Sequence, residues 1–236
     1  MNALLIGIDL QVKNLLRVKK ALFFSFIFPL FLFVLFAAVM GNGSEYYAKF
    51  LLTGIIVITV ASDALFSIGK VIATYYLSGE IRFYKTLPYG FYKVLLAIIV
   101  SRLLVLLAAI ALLLLIAWIF FKVPFTVTEV VNYGLAIVGG TLLFSLIGLA
   151  LASITKENAS DSGLVNLVFY GMMFLSDTFY EFSSLSPVTA FVAKVNPFTP
   201  VLSFARGTPD YLSLGIWILV MAVIVLASYR NIKLDR

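Results

Sequence analysis

The sequence predicts an all-α integral membrane protein. It has six transmembrane helices, an N-terminal interfacial amphipathic helix and an outer re-entrant hairpin before the last span. Three observations predict this. Of the 236 residues, 63% are hydrophobic and 12% charged, with a mean hydropathy of +1.11, whereas soluble domains run at about half apolar and about a quarter charged. Apolar runs close to the roughly 20 residues needed to cross a bilayer recur along the chain. The basic residues gather in alternate connections between those runs.

Residues 1–20 are not a span. Leu4, Leu5, Ile8, Val12, Leu15 and Leu16 fall on one helical face, and Asp9, Lys13, Arg17 and Lys20 on another. That pattern predicts a helix lying in the cytoplasmic interface with its basic face toward anionic head groups. The charge it carries, followed by an apolar run of membrane length, also argues against a cleavable signal peptide.

The predicted spans are Ala21 to Met40, which contains Pro29; Phe50 to Thr74, interrupted by Ser62, Asp63, Ser67 and Lys70; Val94 to Phe121, the most apolar; Tyr133 to Ile154; Ser162 to Leu175, the shortest; and Leu212 to Ser228. Lys13, Arg17, Lys19, Lys20, Lys70, Arg82, Lys85, Lys93, Arg102, Lys156, Arg230, Lys233 and Arg236 fall on one side, thirteen of the 17 basic residues. Lys49, Lys122, Lys194 and Arg206 fall on the other. The positive-inside rule therefore puts both termini in the cytoplasm. The net charge of +6 is explained by this orientation, and no nucleic-acid partner is expected.

Two connections carry structure of their own. In Leu77 to Gly90, Ser78 can cap a short helix, Glu80 suits its first turn, and Pro88 and Gly90 stop it. This cytoplasmic helix, residues 79–87, presents Ile81, Phe83 and Tyr84 as an apolar anchor rimmed by Glu80, Arg82 and Lys85. On the outer side, 176–210 holds a segment, Pro187 to Val195, that can form only a short helix ended by Pro197. A hairpin dipping into the membrane and returning fits it, with its irregular backbone sheltered by protein or water. Nothing divides residues 1–236 into more than one domain.

The chain lacks Cys and His, which excludes disulfides, thiolate or imidazole metal sites and His-based triads. It has no phosphate-binding loop, no metal-ligand cluster and no membrane-embedded carboxylate pair, so no catalysis and no cofactor of its own are expected. Asp63 stands out, near the middle of the second predicted span, where a charge costs at least about 2.5–3.5 kcal/mol. It reads as part of a translocation path with Ser67, as an internal ion pair with Lys70 or Arg102, or as a residue nearer an interface in a helix broken around Ser62. Asn166 and Tyr170, one turn apart, line the same path or serve helix packing.

Four features in order resemble the type-2 ABC exporter permease family, whose ATPase is a separate subunit. They are the basic amphipathic helix running into Phe26-Ile-Phe-Pro-Leu30; Gly79-Glu80 followed by Lys85-Thr-Leu-Pro88; Lys156-Glu-Asn-Ala159; and Asn196-Pro-Phe-Thr-Pro200 followed by Arg206. The chain departs from the family's pattern where Ile81 follows Glu80, where Arg102 sits one turn deeper than usual, and where Ser176-Asp-Thr replaces a Gly-rich turn.

The resemblance implies a plasma-membrane permease, pairing with a second permease subunit as a homo- or heterodimer and with two copies of a cytoplasmic ATPase that bind ATP and Mg. Residues 1–20 and 79–87 would contact the ATPases, and Asn196 and Pro197 would lie at the outer gate. An apolar path favours an amphiphilic, lipid-like, drug-like or peptide substrate. The rival classes are a stand-alone secondary transporter or channel, which usually shows inverted repeats or several intramembrane charges, and a membrane-embedded enzyme.

Overall fold

A computed structural model describes residues 3–17, 19, 23–41, 43–69, 90–155 and 163–230. They are helical, with no strand among the described residues. Helix α1 is Ala3–Arg17. A π-helical turn, Phe23–Ile27, leads into α2, Phe28–Met40. Pro29 explains that junction: it lacks an N–H and its ring crowds the preceding turn, so it is tolerated at the start of an α-helix, behind a widened one. Helix α3, Glu45–Asp63, starts at Ser44, whose hydroxyl accepts from the Tyr47 N–H at 3.3 Å, and runs on as a second π turn, Ala64–Gly69.

Helix α4 is Gly90–Phe121 and α5 is Val127–Thr155. Thr126 and Glu129 cap α5 reciprocally: the Glu129 carboxylate accepts from the Thr126 N–H at 2.9 Å, and the Thr126 hydroxyl accepts from the Glu129 N–H at 3.3 Å. Helix α6 is Gly163–Phe174. Helices α7, Pro187–Val195, and α8, Phe198–Ala205, form a pair bent by 87°. Helix α9, Tyr211–Arg230, closes the described chain.

Four helices are long and apolar enough to cross a membrane among the described residues, or five with the bent pair as one span. They are Glu45–Phe66, Leu96–Phe121, Val127–Ser153 and Tyr211–Ser228. The first and fifth predicted spans appear as shorter apolar helices, Ser25–Met40 and Gly163–Phe174.

The core is built around α3. Leu51, Leu52, Ile55 and Ile56 are fully buried, as expected of a helix that is apolar all round and surrounded by protein. Helix α5 packs on α3, its π turn, α8 and α9. Gly140 makes that approach possible, since a Cβ there would come within 2.9 Å of both Val60 on α3 and Val201 on α8. Helix α9 is the opposite case: no part of its apolar window is buried, and it touches the bundle through Leu214, Trp217 and Met221.

Candidate functional site: a buried elbow and a distant ion pair

Glu129 accepts an ion pair from Lys49 at 2.5 Å, and the Tyr46 hydroxyl reaches Glu181 at 3.5 Å. The starts of α3 and α5 and the connection after α6 therefore share one end of the bundle, the glutamate end. The residues between α6 and α9 fold down from it along α3. The Thr178 carbonyl lies against Gly54, where a Cβ would stand 2.1 Å from the oxygen. Gly54 is nine residues into α3, about 13 Å of helical rise below Glu45.

Asn196 organises this segment. It is buried at the elbow between α7 and α8. Its side-chain amide donates to the carbonyls of Met172 at 2.7 Å and Leu175 at 2.9 Å, the last turn of α6 and its exit. Its side-chain oxygen accepts from the Phe198 N–H at 2.9 Å. One residue thus satisfies orphan carbonyls at the end of one helix and an orphan N–H at the start of another. Pro197 is the N-cap residue of α8 and is buried, and its fixed φ suits that place. The sequence reading ended the short helix here but missed the second helix beginning one residue on.

Arg206 follows α8 and turns inward. Its guanidinium stacks over the Phe50 ring at 4.1 Å, donates to the Thr53 hydroxyl at 3.3 Å, and donates to the Asp177 carbonyl. The Asp177 carboxylate accepts from the N–H and hydroxyl of Ser183 at 2.8 and 2.9 Å. Sequence reasoning missed Phe50, Thr53 and Asp177 as partners of Arg206. The one available signal was Gly54 in a helix interior, which commonly marks close approach of another backbone.

The second polar feature lies toward the other end. Arg102 on α4 reaches Asp63 at 3.4 Å, so of the two expected counter-charges Arg102 is the observed one, and Lys70 falls outside the described residues. The sequence reading put Asp63 near mid-span; this is corrected. Asp63 is the last residue of α3, about 27 Å of rise from Glu45, and Arg102 is about 28 Å from Phe121. Both lie close to a full hydrocarbon thickness of about 30 Å from the glutamate end. The helix changes from α to π directly after Asp63, so it is continuous through Ser62 and not broken there.

Ser67 lies on that π turn, with its side chain outside the described residues. Asn166 is half-buried on α6, and Tyr170 is 51% exposed with its ring against Phe169. Both lie on one stretch of α6, a turn apart. What α6 does contribute is an aromatic column. Phe169 contacts Phe66 on the π turn at 5.3 Å and Phe198 on α8 at 6.3 Å, and Phe198 contacts Phe144 on α5 at 4.9 Å. The far end of α3 and the elbow are linked through it.

In α1, Lys13 and Arg17 are exposed, and Lys13 pairs with Asp9 at 2.7 Å. The helix lies on α4, its Gly7 facing Ala97. Ile8 and Val12 of the predicted apolar face are half-buried, while Leu5 and Leu16 stay exposed. Lys20 and the whole of Glu80, Ile81, Arg82, Phe83, Tyr84 and Lys85 lie outside the described residues.

A family model described as ABC-2 type transporter matches residues 3–208. No curated protein matches the chain.

Proposed function

The chain belongs to the ABC-2 type transporter family, and from that premise we propose that it is the permease of an ATP-driven exporter, moving an amphiphilic, lipid-like, drug-like or peptide substrate. It is a multi-pass membrane protein and a transport subunit. In the proposed assembly a second permease subunit completes the path. Two copies of a cytoplasmic ATPase supply the ATP and Mg site that this sequence, without a phosphate-binding loop, does not encode. The six-span topology with both termini cytoplasmic, and a hairpin re-entering from the outer side with Asn196 and Pro197 at the gate, belong to the same reading.

The observation that carries it is the family match, which extends over 206 of the 236 residues. The geometry supports a route for the motion. Residues 79–87, the proposed coupling helix, connect the π turn after α3 to the start of α4. The Asp63–Arg102 pair joins those helices. A π turn is a frequent site of functional adjustment within a helix. A push on the coupling helix would shift the α3–α4 junction, and the Phe66–Phe169–Phe198 column would pass the displacement to the elbow. A stand-alone transporter or channel is the alternative.

Co-purification separates the two: a permease brings down a protein with a nucleotide-binding loop, and a stand-alone transporter does not. With that ATPase in hand, Phe83→Ala/Tyr84→Ala should abolish transport-stimulated ATP hydrolysis while membrane insertion stays normal. A double variant that stimulates the ATPase like the parent moves the coupling role to residues 1–20 or 155–161.

A further inference from the structure

The ends of α2, α3 and α4 enclose a cleft of about 220 Å³ at the glutamate end. Ala37, Ala48 and Phe121 make its walls apolar, and Glu45 and Lys122 also line it. This is smaller than the roughly 300–1,000 Å³ of drug-sized sites, a scale for a head group rather than a large solute.

Lys122 is held in an unusual way. It is the only non-glycine residue with positive φ among the described residues, at 53°, directly after the last residue of α4. The Val123 N–H turns back there onto the Ala117 carbonyl at 3.3 Å. Glycine is the usual occupant of a left-handed helix terminus because a Cβ is disfavoured in that conformation. Lys122 lines the cleft from this left-handed position, the kind of local strain that marks binding sites.

The charges at the cleft are available. Among the described residues neither Lys122 nor Glu45 forms an ion pair. Lys49, one helical turn after Glu45, is already engaged by Glu129. Beside the cleft, Trp118 and Phe120 on the last turns of α4 are 60% and 73% exposed. Exposed aromatics at the end of an apolar span mark head-group depth. A ligand suited to this place has an apolar portion for the alanine and phenylalanine walls, an anionic group for Lys122 and a cationic group for Glu45.

We propose that the cleft between α2, α3 and α4 holds a zwitterionic membrane lipid of the phosphoethanolamine class, its phosphate on Lys122 and its ammonium on Glu45. The site is independent of the transported substrate and requires only that the protein lie in a membrane.

The test is thermal unfolding of the purified full-length chain in detergent, followed by Trp fluorescence. It is run without additive, with phosphatidylethanolamine, with phosphatidylglycerol and with soluble phosphoethanolamine. Phosphatidylethanolamine should raise Tm by several degrees more than phosphatidylglycerol, and soluble phosphoethanolamine should leave it unchanged. Lys122→Gly suits the left-handed turn better, so its Tm without lipid should equal or exceed the parent's while the phosphatidylethanolamine shift disappears. Glu45→Gln should erase the preference over phosphatidylglycerol. Equal shifts from both lipids in the parent, a shift that survives Lys122→Gly, or a full shift from the soluble head group would each overturn the assignment.

Discussion

Two arginines sit in this helical bundle and are held in different ways. Arg206, near the glutamate end, is surrounded by fixed groups: the Phe50 ring, the Thr53 hydroxyl and the Asp177 backbone carbonyl. Arg102, toward the other end, has a carboxylate, Asp63, at 3.4 Å, and one hydrogen bond to it. The first arrangement uses several parts of the guanidinium at once and joins three segments of chain. The second is one long contact between two helices, beside a π turn. A cation held by convergent dipoles is locked to a backbone arrangement, whereas a single stretched ion pair can re-form as its helices shift. The elbow is the part of the molecule built to stay put, and the α3–α4 junction is the part built to adjust.

The sharpest way to break that comparison is through the residue that knots the elbow. Asn196→Ala deletes three hydrogen bonds, to Met172, Leu175 and Phe198, each worth about 1 kcal/mol net. A loss of about 3 kcal/mol is expected in equilibrium unfolding in detergent, with new protease sensitivity between residues 175 and 210. A variant as stable and as resistant as the parent would mean that the elbow is not a fixed element.

A smaller effect should appear when each arginine becomes lysine. Lysine cannot reproduce a planar fork with several donors, so Arg206→Lys should cost about 2 kcal/mol, the sum of two modest hydrogen bonds. Arg102→Lys keeps a charge able to meet Asp63 and should change stability by less than about 0.5 kcal/mol, in the range of weak ion pairs. Equal losses at the two positions would erase the distinction between them.

The smallest effect belongs to the rim, where solvent weakens the contacts that are strong in the elbow. Asp210 precedes α9, and its carboxylate accepts from the Ser213 hydroxyl at 2.6 Å and the Ser213 N–H at 3.0 Å. The bond from the Ser213 hydroxyl, followed by that from its N–H, lowers the carboxyl below its ordinary value of 3.8. A carboxylate with a depressed folded pKa stabilises the protein above its unfolded pKa, and that contribution is lost as pH falls through the folded value. Asp210→Asn should therefore lower Tm slightly at neutral pH, and the difference from the parent should close as pH falls below about 4. A difference that persists in acid would assign the effect to something other than the ionised cap.

Much of the fold was legible because it rests on local, additive quantities. Free energy of transfer into lipid sums over consecutive residues, so the apolar runs located α6 and α9 to within two residues, while α3 and α5 start five and six residues before their predicted spans, where polar first turns hide the helix. The bounds of α7, Pro187 to Val195, were legible from the proline that ends it, and the Thr126-x-x-Glu129 capping box could have sharpened the start of α5. The candidate site was less legible. Asn196 and Pro197 could be singled out as a motif, yet nothing nearby in the chain names Met172 and Leu175 as the carbonyls Asn196 serves.

The sequence by itself determined that this is a helical membrane protein of the ABC-2 type, with most Lys and Arg in the connections between apolar runs and no phosphate-binding loop, since residue type and order are sufficient for each. Only the tertiary structure decided that Arg102 meets Asp63, where along α3 and α4 that pair lies, what surrounds Arg206, and that a second helix follows the elbow at 87° to the first. Those outcomes depend on the rotational phase and axial register of helices far apart in sequence. Phase and register are set by how side chains interlock, as where Gly54 admits the Thr178 carbonyl and Gly140 admits two valines, and that interlocking appears only once the helices are packed together.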